Sequence, residues 1–572
     1  MSPEASSDRP NVVLIVTDDQ GYGDLSCHGN PTVETPNMDR FRDSAARLED
    51  FHVGTTCAPT RASVMTGRHK LRTGVWHTVN GRSLLHREEV TMADVFADEG
   101  YRTGIFGKWH LGDNYPYRPQ DRGFDEVFVH GGGGVVQTPD YWGNDYFDDT
   151  YFRGGEVPES VDGYCTDVWF DEAIQFVERN VDGDRPFFCY LPTNAPHGPT
   201  QVPDEYRARY EDEVSEHLAR YFGMITNIDD NLGRLRRRLR ELDISRETIV
   251  VFMGDNGTIP PAADHYNAGM RGAKGDQYDG GHRVHGFVHW PGQIEDTDVA
   301  RLTRHYDLLP TFADYCGLDL PAVELDGRSL RPLLDDGEAP WPDRTMVVDT
   351  QRVERPEKWR RCSVMTDRWR LVNGEELYDI EADPGQRHDV SDDHSDVVAD
   401  LHDRYDEWWG DVSDRFDSYC RIVLGNEAEN PATLTAHDWH ETGSVPWNQV
   451  KITEAEESDG FWAVDVETAG TYAIELRRWP EECGAEIRAI PDSFERVDYG
   501  AEEHWSGEGV AIDPERATLE IGDIKRSRTV PPGAEAVSFE VDLPVGPAKL
   551  RTRFTESDGT ERGAYYTTVK RK

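Results

Sequence analysis

The chain has 572 residues, more than a single hydrophobic core usually serves, so two or more domains are expected. It carries 61 Lys and Arg against 109 Asp and Glu, a formal net charge of −48, and only nine of the basic residues are Lys. That balance excludes long-range attraction to nucleic acid or to an anionic membrane. The acids are spread along the whole chain, which fits a solvated surface suited to concentrated salt, and a salt-loving source, better than a docking site for a cationic partner. An anionic substrate would meet a repulsive outer field, so its attraction has to come from local cations. Residues 1–10 are polar, and the first apolar run is too short for a signal peptide or a membrane span. The expected location is therefore the cytoplasm, with no membrane partner.

In chain order, Val12-Val13-Leu14-Ile15-Val16 is a continuous apolar run, as expected for a strand buried on both faces. Asp18-Asp19-Gln20 follows it directly. Residues 92–99 have a helical pattern, and Thr103-Gly104-Ile105-Phe106 is a second strand, followed by Gly107-Lys108-Trp109-His110. Residues 168–177 place Val168, Phe170, Ile174 and Val177 mostly on one helical stripe. Residues 186–191 form a third strand, ahead of Asn194-Ala195-Pro196-His197. A long helix is predicted over 218–242, ending in a basic run at 234–240 expected to be solvated. The strand Thr248-Ile249-Val250-Val251-Phe252-Met253 leads into Asp255-Asn256-Gly257. Strands alternating with helices imply an α/β domain with a mixed, largely parallel central sheet flanked by helices, and ligands bind beyond the carboxyl ends of such strands.

After about residue 430 the texture changes to short strands punctuated by Gly, Pro and Asp: 461–466, 470–476, 517–521, 536–541 and 548–554. This predicts an all-β, sandwich-like domain over 432–572, behind a catalytic domain over 10–425. The β domain either contacts a glycan or covers one edge of the catalytic sheet.

Four clusters fall at predicted strand ends. Asp18, Asp19, Asp255 and Asn256 form an oxygen-only set that suits Ca²⁺ or Mg²⁺ over zinc. Either pair alone reads equally well as a turn or helix cap, but two such pairs at the ends of inner strands point to a cation. Lys108 and His110 fall on one side if the strand periodicity persists past Phe106. Lys108 could otherwise be a surface lysine, and a lone histidine such as His197 is more often structural than catalytic. Arg271-Gly272-Ala273-Lys274 and Gly280-Gly281-His282-Arg283 form a Gly-rich segment that presents cations, as an anion-binding loop would. The eight cysteines show no CxxC pair, and those in apolar runs, such as Cys189, read as small buried hydrophobes. Cys57 differs, because Arg61 stands beside it in Cys57-Ala58-Pro59-Thr60-Arg61. As a bare thiol nucleophile it would need a general base, and the metal-type carboxylates would then have no task.

That segment, followed by Met65-Thr66-Gly67-Arg68, resembles the signature C-x-P-[ST]-R-x3-L-T-G-[RK] of the type I sulfatases, with Met65 in place of Leu. Asp18-Asp19, Gly107-Lys108-Trp109-His110, Ala195-Pro196-His197, Gly254-Asp255-Asn256-Gly257 and Gly280-Gly281-His282-Arg283-Val284 occur in that family's order, and Leu377-Tyr378-Asp379-Ile380 with Asp383-Pro384-Gly385 is similar to its closing motif. The resemblance covers about residues 10–420, and the rest resembles the C-terminal β region of some bacterial arylsulfatase-type relatives. It departs from the family in Asp279, where Glu is usual, and in His285, where Pro is frequent.

The resemblance implies an alkaline-phosphatase-like fold and hydrolysis of a sulfate ester on a small molecule or carbohydrate. It also implies a maturation enzyme that oxidises Cys57 to Cα-formylglycine. By the same resemblance, Asp18, Asp19, Asp255, Asn256 and the modified residue 57 bind the cation, Ca²⁺ or Mg²⁺. Arg61 steadies the aldehyde hydrate, Lys108 and Lys274 hold sulfate oxygens, His197 is the general acid, and His110 orients or deprotonates the hydrate. His130 is a candidate for a further sulfate contact, and Tyr141 and Trp142 are expected at the mouth. Two other readings stay open: a phosphodiesterase or phosphonate monoester hydrolase of the same superfamily, and a sulfated-glycan binding protein that keeps Cys57 as a thiol.

Overall fold

The computed structural model describes residues 9–155, 157–337, 339–440, 443–491 and 509–572. The polar start of the chain falls almost wholly outside these residues.

The first part of the chain builds an eight-stranded sheet. Its strands are β1 (Asn11–Thr17), β2 (Ala46–His52), β3 (Arg102–Lys108), β4 (Glu126–His130), β5 (Phe187–Pro192), β6 (Thr248–Gly254), β7 (Gly286–His289) and β8 (Asp298–Arg304), in the spatial order β8-β2-β7-β6-β1-β5-β3-β4. Neighbours from β6 to β4 pair in parallel, while β7 runs antiparallel to both β6 and β2. The apolar run of β1 explains its central place. Val13 and Ile15 enter the hydrophobic cluster on one face, and Val12, Leu14 and Val16 enter the cluster on the other. A strand buried on both faces has no side left for polar residues, which is why the run does not alternate.

Helices cover both faces: α1 (Pro36–Arg42), α2 (Cys57–Thr66), α3 (Met92–Asp98), α4 (Cys165–Asn180), α5 (Glu216–Glu241) and α6 (Leu308–Cys316). In α5 the basic run is not simply solvated. Leu235 and Leu239 are buried within it, and the Arg236 guanidinium lies over the Phe41 ring at 4.7 Å, because a long arginine stem can cover apolar surface while its head stays near water. An antiparallel sheet of four strands follows, β9 (Met346–Asp349), β10 (Cys362–Met365), β11 (Trp369–Val372) and β12 (Glu376–Asp379), packed under α7 (Ser395–Val412).

Beyond it lie two further sheets sharing one core. One holds β13 (Ile422–Leu424), β15 (Trp462–Val466), β17 (Pro514–Ile521), β18 (Ile524–Thr529), β20 (Gly546–Glu556) and β21 (Glu561–Gly563). The other holds β14 (Ala432–Thr435), β16 (Gly470–Arg477), β19 (Val537–Leu543) and β22 (Tyr566–Arg571). In β19 the burial alternates residue by residue, the signature of a strand with one wet face. A short helix, α8 (Gln449–Thr453), interrupts this region, and the chain just before it runs back toward the catalytic sheet. Among the described residues, no helix is long and apolar enough to cross a membrane. Cys27, Cys57, Cys165, Cys189, Cys316, Cys362 and Cys420 form no disulfide.

Candidate active site

The loops that leave the carboxyl ends of β1, β3, β5 and β6 converge. Three backbone hydrogen bonds lock them: the amide of Asp18 donates to Ala195 O (3.1 Å), that of Thr193 to Val16 O (2.9 Å), and that of Asp255 to Thr17 O (2.9 Å). Asp19 sits at φ 69°, an unusual backbone region for a non-glycine residue, and its amide donates to Asp255 Oδ1 at 3.1 Å. Cys57 opens α2 after the extended Thr56, so it stands at the positive end of a helix dipole. The helix is buried along its whole length, Pro59 is tolerated in its first turn, and Gly67 closes it in the left-handed conformation. Thr60 Oγ1 accepts from the Gly54 amide at 2.9 Å and donates to Thr56 O at 3.1 Å, fixing the turn that carries Cys57.

Three buried carboxylates lie here, and each has its own cation, Lys108 and Arg61 buried and Lys274 part-buried at the cleft. Asp18 pairs with Lys108, Asp19 Oδ2 with Lys274 Nζ at 2.7 Å, and Asp255 Oδ2 with Arg61 Nη2 at 2.8 Å. Arg61 is further spent on Lys108 O, to which Nη1 donates at 3.1 Å. Burial alone would raise the Asp19 carboxyl, but the Lys274 and His197 charges hold it well below the usual range. Asp255 is pushed up to about 7, by burial first and then by the Asp18 charge. Burial and the Asp18 charge push the Cys57 thiol up to about 12.

Oxygen ligands of Asp18, Asp19 and Asp255 lie within 4.8 Å of one another, as do one ligand atom each of Asp18, Cys57 and His197. Asn256 Nδ2 donates to Asp19 Oδ1 at 2.8 Å and to Gly257 O, which turns Asn256 Oδ1 the other way. Asn256 Oδ1 and Asp18 Oδ1 are buried and have no hydrogen-bond partner. Unpartnered oxygens beside three carboxylates are what a hard divalent cation requires, so these residues fit one.

The site opens into a cleft of about 880 Å³. Asp19, Cys57, His110, His197 and Lys274 line it, while Asp18, Lys108, Asp255, Asn256 and Arg61 lie beneath its wall. In His197, Nδ1 sits 2.6 Å from Gly198 O and Nε2 lies 3.9 Å from Asp19 Oδ2. Burial and the Lys274 charge bring its pKa down to about 3.

The strand period does not carry through to His110. β3 ends at Lys108 and His110 takes φ 61°, so its ring is placed by a turn. His110 Nε2 lies 2.9 Å from Thr78 O, while the buried Nδ1 has no partner. The ring packs so closely on Gly133 that a Cβ there would lie 2.2 Å from Cε1.

Several expected residues are elsewhere. His130 closes β4 beside Lys108 and lines a second cavity of about 580 Å³, while the charges of Lys108, Arg61 and His197 still reach its buried ring. Tyr141 lines that second cavity too, and Trp142 packs edge-on against Trp479 at 5.3 Å. Of the cations in 271–283, only Lys274 reaches the cleft. Arg271 lies over Tyr278, and Arg283 donates to Glu49 O at 2.6 Å. His282 is buried against His52, with Nδ1 atoms 2.8 Å apart. His52, Asp279 and His282 also form a buried ligand-type group, but Arg370 already supplies its positive charge, 3.1 Å from Asp279 Oδ1.

The cleft also has lining residues without a motif: His77 to Asn80, His217, Arg352 and the stretch 443–447 with Lys451. The last group comes from the C-terminal region. It is stitched to the loop around Gln137 by Thr138 N to Trp447 O (3.0 Å) and Gln449 N to Val136 O (2.9 Å). The C-terminal region therefore forms one wall of the cleft. None of these residues adjoins a signature in the sequence, and only the long-range strand and loop pairings bring them to Cys57.

A buried carboxylate set fit for a cation, a residue at a helix N-terminus and lysines ready for an anion, all at parallel strand ends, define a metal-assisted ester hydrolase type of centre. Comparison with known proteins agrees. Residues 10–318 match the family model described as sulfatase, and residues 274–409 match that of the N-sulphoglucosamine sulphohydrolase C-terminal region. Arylsulfatase A of Homo sapiens is 33% identical over 356 residues, which covers 57% of this chain and 68% of that protein. N-acetylgalactosamine-6-sulfatase of Sus scrofa is 30% identical, over 57% of this chain and 66% of its own length. Among solved structures, Ps i-CgsB in complex with k-i-k-neocarrahexaose superposes with a TM-score of 0.64 at 29% identity, over 72% of this chain and 95% of that one. The chain belongs to the sulfatase family, a family of sulfuric ester hydrolases in the alkaline-phosphatase superfamily.

Proposed function

We propose that this chain hydrolyses a sulfate ester of a sulfated carbohydrate to an alcohol and inorganic sulfate. In this reading, position 57 is converted from cysteine to Cα-formylglycine by a maturation enzyme, and one divalent cation, Ca²⁺ or Mg²⁺, is held by Asp18, Asp19, Asp255 and Asn256. Such a group at position 57, once hydrated, would supply a hydroxyl nucleophile for sulfur and a second hydroxyl through which sulfate could be released. The observation that carries this reading is the pairing of three buried carboxylates with three cations, two of them buried, beside Cys57. Their charges cancel. With a divalent cation held by these residues, the centre would carry two net positive charges, matched to an anionic ester. Lys108 and Lys274 are then also freed from their role as counter-charges, so their ammonium groups are available for sulfate oxygens in the transition state.

The remaining roles follow from the side chains. His197 donates Nδ1–H to Gly198 O and so offers Nε2 to the cleft, where it protonates the leaving oxygen. An anionic ester beside it raises the basicity that burial and Lys274 have lowered. His110 donates Nε2–H to Thr78 O and keeps the lone pair of Nδ1 to accept a proton from the nucleophilic hydroxyl. Arg61 acts through Asp255, which it holds in place with two donors. With no divalent cation beside it, the Cys57 thiol, raised to about 12 by burial and the Asp18 charge, stays protonated near neutral pH.

The sulfated-carbohydrate class rests on the roughly 880 Å³ volume of the cleft and on the oligosaccharide bound by Ps i-CgsB. The acid-rich composition supports a further proposal, that the protein works in concentrated salt. Phosphoryl-transfer sites often use two metals, and the carboxylates gathered at this cleft supply ligands for one. The test is paired turnover of an aryl sulfate and the matching aryl phosphate by the converted, cation-loaded protein. The sulfate ester is expected to be far the better substrate, and preference for the phosphate overturns the reading.

A further inference from the structure

Arg352 stands on the rim of the cleft with an exposed guanidinium, and it has no hydrogen-bond or ion-pair partner among the described residues. By contrast, Arg61, Arg153 and Arg370 are held by carboxylates. The nearest acid in sequence, Glu354, is already engaged by Arg82 and His440, each at 3.2 Å. The backbone that carries Arg352 is braced. Thr350 Oγ1 lies 2.8 Å from Gly275 O and 2.7 Å from Thr55 Oγ1, which ties this segment both to the Lys274 loop and to the turn before Cys57. The buried Gln351 amide donates to Glu357 O and accepts from the Glu357 amide, closing the loop that presents its neighbour.

His77 lines the same cleft, close enough to Arg352 to feel its charge. Its Nδ1 accepts from the amides of Thr78 (2.8 Å) and Val79 (3.1 Å), so the proton of the neutral ring is on Nε2. That Nε2–H is a donor with no partner among the described residues. The Arg352 charge is also felt at Lys274, which places this rim within reach of the reacting centre.

We propose that Arg352 and His77 form a second anion subsite, which takes a sulfate or carboxylate of the substrate other than the ester being cleaved. The substrate is then a sugar with at least two anionic groups. This deepens the hydrolase reading and rests on it. A guanidinium with free donors beside a neutral N–H donor matches a tetrahedral or planar oxyanion, and in a field otherwise set by a charge of −48 it gives one local point of attraction. Trp447 and the C-terminal wall enclose the cleft.

The experiment uses the converted, cation-loaded full chain with three substrates: 4-nitrophenyl sulfate, a monosulfated disaccharide, and the same disaccharide carrying a second sulfate. Wild type is expected to favour the disulfated sugar, and Arg352→Gln to lower the ratio of kcat/KM for disulfated over monosulfated sugar about tenfold, chiefly through KM. That is about 1.4 kcal/mol of discrimination. Arg352→Lys should restore part of the ratio. An unchanged ratio in Arg352→Gln, or no preference in wild type, overturns the subsite. Failure of wild type to turn over 4-nitrophenyl sulfate overturns the hydrolase reading instead.

Discussion

Lys108 and Asp18 form an ion pair in which neither side chain is exposed to solvent. Removing one partner of such a pair leaves a buried, uncompensated charge, at a cost of about 3–5 kcal/mol. Lys108→Met should therefore melt well below wild type in the presence of a chelator. A divalent cation at Asp18, Asp19, Asp255 and Asn256 replaces the missing charge, so added Ca²⁺ should narrow the gap. Thermal melts of both proteins with EDTA and with Ca²⁺ check this. A gap of equal size in both conditions contradicts the assignment of Asp18 as a cation ligand.

His197 is assigned to protonate the leaving oxygen, a role that matters most for poor leaving groups. His197→Asn should slow hydrolysis of an alkyl or sugar sulfate by roughly 10²–10⁴-fold. An activated nitrophenyl sulfate, whose oxygen leaves without a proton, should lose much less. A series of leaving groups of graded basicity measures the difference, and a uniform loss across the series rules the role out.

Arg370 is fully buried and bridges Asp279 at 3.1 Å and Asp50 at 3.2 Å. Burial would raise both carboxyls, yet the Arg370 charge holds them below their ordinary range. A carboxylate with a lowered folded-state pKa contributes stability above its unfolded value of about 4, and that stability is lost as pH falls toward the lowered value. Wild type should therefore lose stability below about pH 4. Arg370→Met should be less stable by about 3–5 kcal/mol at neutral pH. Without Arg370, burial raises both carboxyls, so its deficit should shrink as the pH falls through those raised values, beginning above pH 4. Chemical denaturation from pH 7 down to pH 3 tests the sign.

The outer field predicts a response to salt. At low ionic strength a net charge of −48 repels itself across the surface, and at molar salt the screening length falls to about 3 Å. The melting temperature should rise between 0.1 M and 2 M KCl. A flat or falling curve contradicts adaptation of this surface to concentrated salt.

How much of this could be read from the residues depends on range. The runs at β1 and β6 are apolar without alternation, and the polar pairs after them stand at strand ends, so both the sheet and the carboxylate set were legible. The turn at His110 was not, because a left-handed residue after Lys108 ends the period that the preceding strand implies. That His130 stands on the edge strand β4, between Lys108 and a second cavity, is likewise not shown by local spacing. Arg352 and the wall at 443–447 carry no local signal at all. Thr350 meets Thr55 across 295 positions, and Trp447 meets Thr138 across a gap longer still, through contacts that only the folded chain makes.

The central claim is that hydrolysis depends on a residue made from Cys57. It is tested most directly by measuring aryl sulfate turnover in preparations whose converted fraction at position 57 is determined by mass spectrometry of the peptide spanning residues 55–61. Turnover should rise in proportion to that fraction and extrapolate to zero for the unconverted thiol. A rate independent of conversion, or full activity in Cys57→Ala, would contradict the account.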